Sequence, residues 1–115
     1  MYNFPFSANY INMPAITITS KNRKKEISRC KTPVLLSFFR HNSDGVSSFL
    51  LKNTADILSE ELKGRVKVGI AGDAGLMEEY DVRFLPMTVL IENNTVTDRI
   101  IGNPRREDFL KFLFK

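Results

Sequence analysis

The sequence predicts an α/β fold: a central mixed β-sheet with helices on both faces, in the order β-α-β-α-β-α-β-β-α. Three observations lead there. Val34-Leu35-Leu36-Ser37-Phe38-Phe39 is a nearly unbroken apolar run. That pattern suits a strand buried on both faces, which usually means parallel pairing. Strand and helix patterns alternate in the first half, and parallel strands need such crossovers. Asn93-Asn94 separates two apolar runs, and both residues tolerate the positive φ of a tight hairpin turn. One sheet should therefore hold both parallel and antiparallel pairs.

Residues 1–14 carry Tyr2, Phe4, Phe6, Tyr10 and Ile11 with Pro5 and Pro14. Proline and asparagine argue against regular helix, and the aromatics argue against mere solvation. Two readings stand: an aromatic arm packed on the domain or on a second copy as a homodimer, or an unstructured tail. The domain proper is expected over residues 15–115. Ala15 to Thr19 alternates apolar and hydroxyl residues, a short strand. Ser20 can cap a helix over Asn22–Arg29 with Ile27 as its apolar anchor. Thr32-Pro33 ends it, and the Val34 strand follows. Residues 40–45 are a polar loop. Leu51, Ala55, Leu58 and Leu62 then fall on one face of a helix over residues 46–63, with Phe49, Leu50 and Ile57 expected to widen that face. Ser43 or Asp44 supplies its N-cap and Gly64 its stop. A strand over Val66–Ala71, a turn through Gly72-Asp73-Ala74-Gly75 and a short helix over Leu76–Tyr80 come next. Pro86 opens a strand over Met87–Ile91, and Val96–Ile101 returns from the hairpin. Asn103 can cap the last helix with Pro104 at its first position. Phe109, Phe112 and Leu113 face inward at i, i+3 and i+4.

The chain has 115 residues, one domain's worth, with apolar and charged fractions of 43% and 26%. Its single cysteine excludes an intramolecular disulfide or dithiol, and with its single histidine it excludes the usual zinc donor sets. No cofactor or metal is expected. Asp44, Asp73 and Asp81 show no calcium-loop spacing. The formal charge is +4. Basic residues cluster at Arg23-Lys24-Lys25, Arg29, Lys31, Arg105-Arg106, Lys111 and Lys115, but acidic residues are interleaved and no nucleic-acid-binding motif accompanies them. Nucleic acid is therefore not an expected partner. No apolar run approaches the ~18–20 residues of a membrane helix, and the start has no signal-peptide pattern. A free cysteine agrees with a reducing, cytoplasmic setting.

From about Ala15 to the end, the order of elements resembles the thioredoxin family. Pro33 to Phe39 looks like the strand that leads into that family's active-site loop. Tyr80-Asp81-Val82-Arg83-Phe84-Leu85-Pro86-Met87-Thr88-Val89 looks like its short-helix exit and cis-proline strand. Asn93-Asn94 and Ile100-Ile101-Gly102 resemble its terminal hairpin and trailing glycine. The resemblance implies a thioredoxin fold and a cis bond before Pro86.

The same comparison shows what is missing. Active thioredoxins carry Trp-Cys-Gly-Pro-Cys at the start of the long helix, where the helix end lowers the thiolate pKa. Here the stretch reads Arg40-His41-Asn42-Ser43-Asp44-Gly45-Val46-Ser47-Ser48-Phe49. The cysteine positions fall at Ser43 and Val46 or at Gly45 and Ser48, and neither alignment supplies a thiolate for exchange. The family's buried acid corresponds to Ser37 and its buried lysine roughly to Ile70. No catalytic residue is expected. His41 stands near Ser43, Ser47, Ser48 and Asp44, but a triad is made by geometry rather than by neighbours on one loop.

What the resemblance implies instead is a redox-inactive module that binds a protein or peptide, in a chaperone-like way. Its groove would be Asn42, Ser43, Asp44, Gly45, Val46, Ser47 and Ser48 with Leu85, Pro86, Ile101 and Gly102, because backbone beside a cis-proline can pair with an extended peptide. The alternative is a thiol-disulfide oxidoreductase acting through Cys30, alone or in an intermolecular disulfide. Arg29 and Lys31 would favour its thiolate.

Overall fold

Hydrophobic alternation decides how this chain divides into layers. The structure, a computed structural model, describes residues 14–39 and 46–114. Its strands are β1 (Ile16–Thr17), β2 (Val34–Phe38), β3 (Lys67–Ala71), β4 (Met87–Glu92) and β5 (Thr95–Ile101). Its helices are α1 (Val46–Glu61), α2 (Ala74–Glu79) and α3 (Arg106–Leu113), with a π-helical turn at Lys24–Ser28. The strands form one five-stranded sheet in the order β1-β3-β2-β4-β5. β1 and β2 both run parallel to β3, while β4 runs antiparallel to β2 and β5. The fold is α/β with a mixed sheet, as expected.

β2 is central, and all five of its residues are buried. Side chains alternate across a strand, so β2 serves two cores. Val34, Leu36 and Phe38 pack with Ile27, Leu76, Tyr80, Met87, Val89 and Ile91 under the π-helical turn and α2. Leu35 and Phe39 pack with Leu51, Ala55, Leu58, Leu62, Val68 and Phe109 under α1 and α3. Helical elements therefore cover both faces.

Several local expectations change. The helix expected over Asn22–Arg29 is the π-helical turn, closed by Arg29 N–H donating to Lys24 O at 3.0 Å. Ser20 does not cap it. Asn22 Oδ1 accepts from Thr19 N–H at 2.8 Å, while Ser20 N–H donates to Asp73. With Ile27 as the segment's one buried residue, little holds a longer helix in place. β1 is shorter than Ala15–Thr19, although Ile18 N–H still donates to Ile70 O at 2.8 Å. α3 starts at Arg106, so Asn103 and Pro104 lie ahead of it. Asp108 supplies the cap from inside the first turn by accepting from Arg105 N–H at 3.0 Å. The Asn93-Asn94 turn is as expected, with φ of 53° and 63°.

Phe49, Leu50 and Ile57 do not widen the buried face of α1. They are 63%, 44% and 45% exposed, whereas Leu51, Ala55, Leu58 and Leu62 are buried. At about 100° per residue, Phe49 and Ile57 point well away from that stripe.

Asp73 joins two segments far apart in sequence. Its carboxylate caps α2 by accepting from Gly75 N–H at 2.7 Å, and it accepts from Ser20 N–H at 2.8 Å. These donors, Ser20 first, hold its pKa below the ordinary 3.8. A depressed folded pKa stabilises the fold above the unfolded value and stops doing so as pH falls through the folded one. Asp73→Ala should lower the melting temperature at pH 7, and its deficit against wild type should shrink as pH falls below about 3.8. Asp73→Asn should retain most of the cap. Thermal melts across pH 2–7 test this, and a deficit independent of pH would contradict it.

Candidate functional site

One end of the sheet collects the residues of interest. Phe38 at the end of β2 lies opposite Ala71 in β3 and Met87 in β4, and Met87 lies opposite Ile101 in β5. The C-terminal ends of β2, β3 and β5 therefore meet the start of β4. The Leu85–Pro86 bond that leads into β4 is cis, as the resemblance implied. Gly102 N–H donates to Pro86 O at 2.9 Å, so Leu85-Pro86 and Ile101-Gly102 are tied side by side. Gly102 has φ of 99°, in the left-handed region that favours glycine. Asp81 (φ 55°) turns the chain out of α2 toward this edge. Of the expected groove residues, Asn42, Ser43, Asp44 and Gly45 lie outside the described residues, as does His41. Val46, Ser47 and Ser48 form the first turn of α1.

This end presents apolar surface. Phe84 is 62% exposed and Ile101 is 61% exposed. Leu85 is half-buried and packs against the core under α2. Among the described residues, no hydrogen bond engages the backbone N–H or C=O of Leu85. Charge borders the patch. Arg83 Nε lies 2.8 Å from Asp81 Oδ1, and Arg99 donates to Asp81 O at 3.4 Å. The hydrogen bond and charge of Arg83 hold the Asp81 carboxyl below the usual carboxylate range. Among the described residues, this surface offers apolar contact and the backbone groups of Leu85. Among the described residues, no cluster of His, Cys, Asp or Glu could hold a metal ion. No helix there is long and apolar enough to cross a membrane.

Cys30 lies just before the start of β2, so it belongs to the opposite end of the sheet from Pro86. It is half-buried, and its Sγ lies 3.3 Å from Thr32 Oγ1. Lys24, Lys25, Arg29 and Lys31 around it are exposed. Several other basic residues are paired: Arg23 with Glu79, Lys67 with Glu26, Arg106 with Glu61. A shallow cavity of about 470 Å³ opens beside α3, with Arg65, Leu90, Glu92, Phe112 and Phe114 among its walls.

Sequence reasoning missed one buried polar pair. Ser37 Oγ and Thr88 Oγ1 share a 2.8 Å hydrogen bond in the sheet interior, and Ser37 also lies opposite Ile70. A hydroxyl in each of two apolar runs was the available signal, but pairing them needs the register. No model of a protein family matches the chain, and no curated protein sequence matches it.

Proposed function

We propose that the chain is a redox-inactive, thioredoxin-like module that binds an extended segment of another protein across the sheet end at Leu85-Pro86 and Ile101-Gly102. The observation that carries this reading is the hydrogen bond from Gly102 N–H to Pro86 O, which sets Leu85-Pro86 beside Ile101-Gly102 at a sheet end where Phe84 and Ile101 stand exposed. Among the described residues nothing hydrogen-bonds the backbone of Leu85, which leaves it to pair with a peptide strand, and Phe84 and Ile101 offer apolar contact to alternate side chains. The strand order β1-β3-β2-β4-β5 also supports the resemblance. So does the register that sets Ser37 beside Ile70, since the resemblance gives those positions an acid and a lysine. The resemblance adds Asn42 to Ser48 to this groove, and of these Val46 to Ser48 open α1. One cysteine per chain leaves no dithiol for internal exchange, and Cys30 sits at the far end of the sheet.

The test is selection of random peptides from a display library on the immobilised chain, followed by fluorescence-polarisation titration of the recovered sequences. Leu85→Asp and Ile101→Asp should each weaken binding at least tenfold, while Ile57→Asp on the outer face of α1 should not. Ile101 is exposed, so its substitution leaves the core intact. Failure to recover any peptide, or equal binding by Leu85→Asp and Ile101→Asp, would overturn the reading. Insulin-disulfide reduction by wild type that disappears in Cys30→Ser would favour the oxidoreductase alternative.

A further inference from the structure

We propose that residues 1–13 dock in cis on the outer face of α1, on the apolar stripe of Phe49, Leu50 and Ile57. Three observations meet at that face. The stripe is the largest departure of α1 from an amphipathic helix: two large aliphatic side chains and a phenylalanine stand exposed where polar residues belong. Phe49 and Ile57 are two turns apart on one side, with Asn53 between them. An exposed apolar stripe of this kind marks a contact surface.

The second observation is where the described chain begins. Ala15 N–H donates to Asp56 Oδ1 at 3.0 Å, and Lys52 holds the other carboxylate oxygen at 2.9 Å. Asp56 follows Phe49 by seven residues, so it lies two turns along almost the same line of the helix, and its side chain is only 13% exposed. The N-terminal segment is thus pinned to α1 itself, next to the stripe.

The third observation is composition. Residues 1–13 contain Tyr2, Phe4, Phe6, Tyr10 and Ile11 and no Lys, Arg, Asp or Glu, in a chain that is 26% charged. Such a segment gains by covering apolar surface. Its length suffices: Tyr10 can lie up to about 17 Å from Ala15 in extended chain, while Phe49 is about 10 Å along the helix axis from Asp56. A second copy is the competing occupant. Tethering favours the arm in cis, because a segment joined beside its site faces it at an effective concentration of about millimolar. This proposal is independent of the peptide groove, which lies at the sheet end.

The experiment places a benzophenone amino acid at Tyr10, and separately at Phe6, in the full chain. After irradiation, the expected product migrates as a monomer and maps to α1 peptides spanning residues 49–57. Ile57→Asp should lower the yield at least fivefold with an unchanged circular-dichroism spectrum, since Ile57 is not part of the core. A crosslinked dimer would assign the stripe to a second copy and overturn docking in cis. Adducts confined to other surfaces, no intramolecular adduct, or a yield indifferent to Ile57→Asp would overturn it as well.

Discussion

Phe38→Ala should cost about 3–5 kcal/mol, the range for removing a fully buried phenylalanine. Phe38 is fully buried at the end of the central strand. Its ring centroid lies 6.4 Å from that of Tyr80, tilted at 54°, an aromatic contact that adds to the burial itself. Ala71 and Met87 flank it across both neighbouring strands. Backbone pairing on both sides keeps those neighbours from closing the void. A domain of this size has only about 5–15 kcal/mol of stability in total. Urea unfolding should show a large fall in midpoint with an unchanged slope. Phe84→Ala, at a residue 62% exposed, should stay within about 0.5 kcal/mol of wild type. Equal midpoints for the two variants would contradict the burial argument. Leu85 packs against the same cluster as Phe38, so Phe38→Ala should also loosen the edge proposed to receive peptide.

The contrast between these two phenylalanines shows what was legible beforehand. Phe38 sits in an apolar run, and a run of that length announces a central strand. Leu51, Ala55, Leu58 and Leu62 announce a helix in the same way, because a repeat of 3.6 has few other solutions. Asn93-Asn94 was legible because positive φ restricts the residues a turn accepts. Phe49, Leu50 and Ile57 misled because hydrophobicity alone does not say which apolar residues of a helix reach the core. That depends on what lies across from each one. The π-helical turn was also hidden: Ser20, read as its cap, instead donates its N–H to Asp73, a contact between segments distant in sequence. At the candidate site, Leu85-Pro86 and Ile101-Gly102 were both flagged by resemblance, while the hydrogen bond from Gly102 N–H to Pro86 O that ties them together is encoded by no sequence pattern.

Ser37→Asp should be the most pH-dependent substitution in the molecule. Ser37 is buried beneath α1, and its one described side-chain partner is the Thr88 hydroxyl at 2.8 Å. Across β3 it faces Ile70. An ionised carboxylate there would exchange its hydration for a single hydroxyl, so burial should push its folded pKa well above the unfolded ~3.9. The native state then holds a proton that the unfolded state has released. Stability therefore falls as pH rises from ~4 through the folded pKa and is constant above it. A shift of about three units is worth about 4 kcal/mol at neutral pH. Ser37→Asn carries nearly the same volume without the charge, so it isolates the steric cost. Denaturant midpoints for the Asp and Asn variants should converge near pH 4 and diverge toward pH 8; parallel curves would refute the desolvation argument. Adding Ile70→Lys sets a cation on the cross-strand neighbour of the new carboxylate. The double variant should then be more stable than the two single costs predict, by about 0.5–3 kcal/mol. A coupling of that sign requires the two side chains to share one face of the sheet, which the β2–β3 register provides and a slip of one residue would abolish.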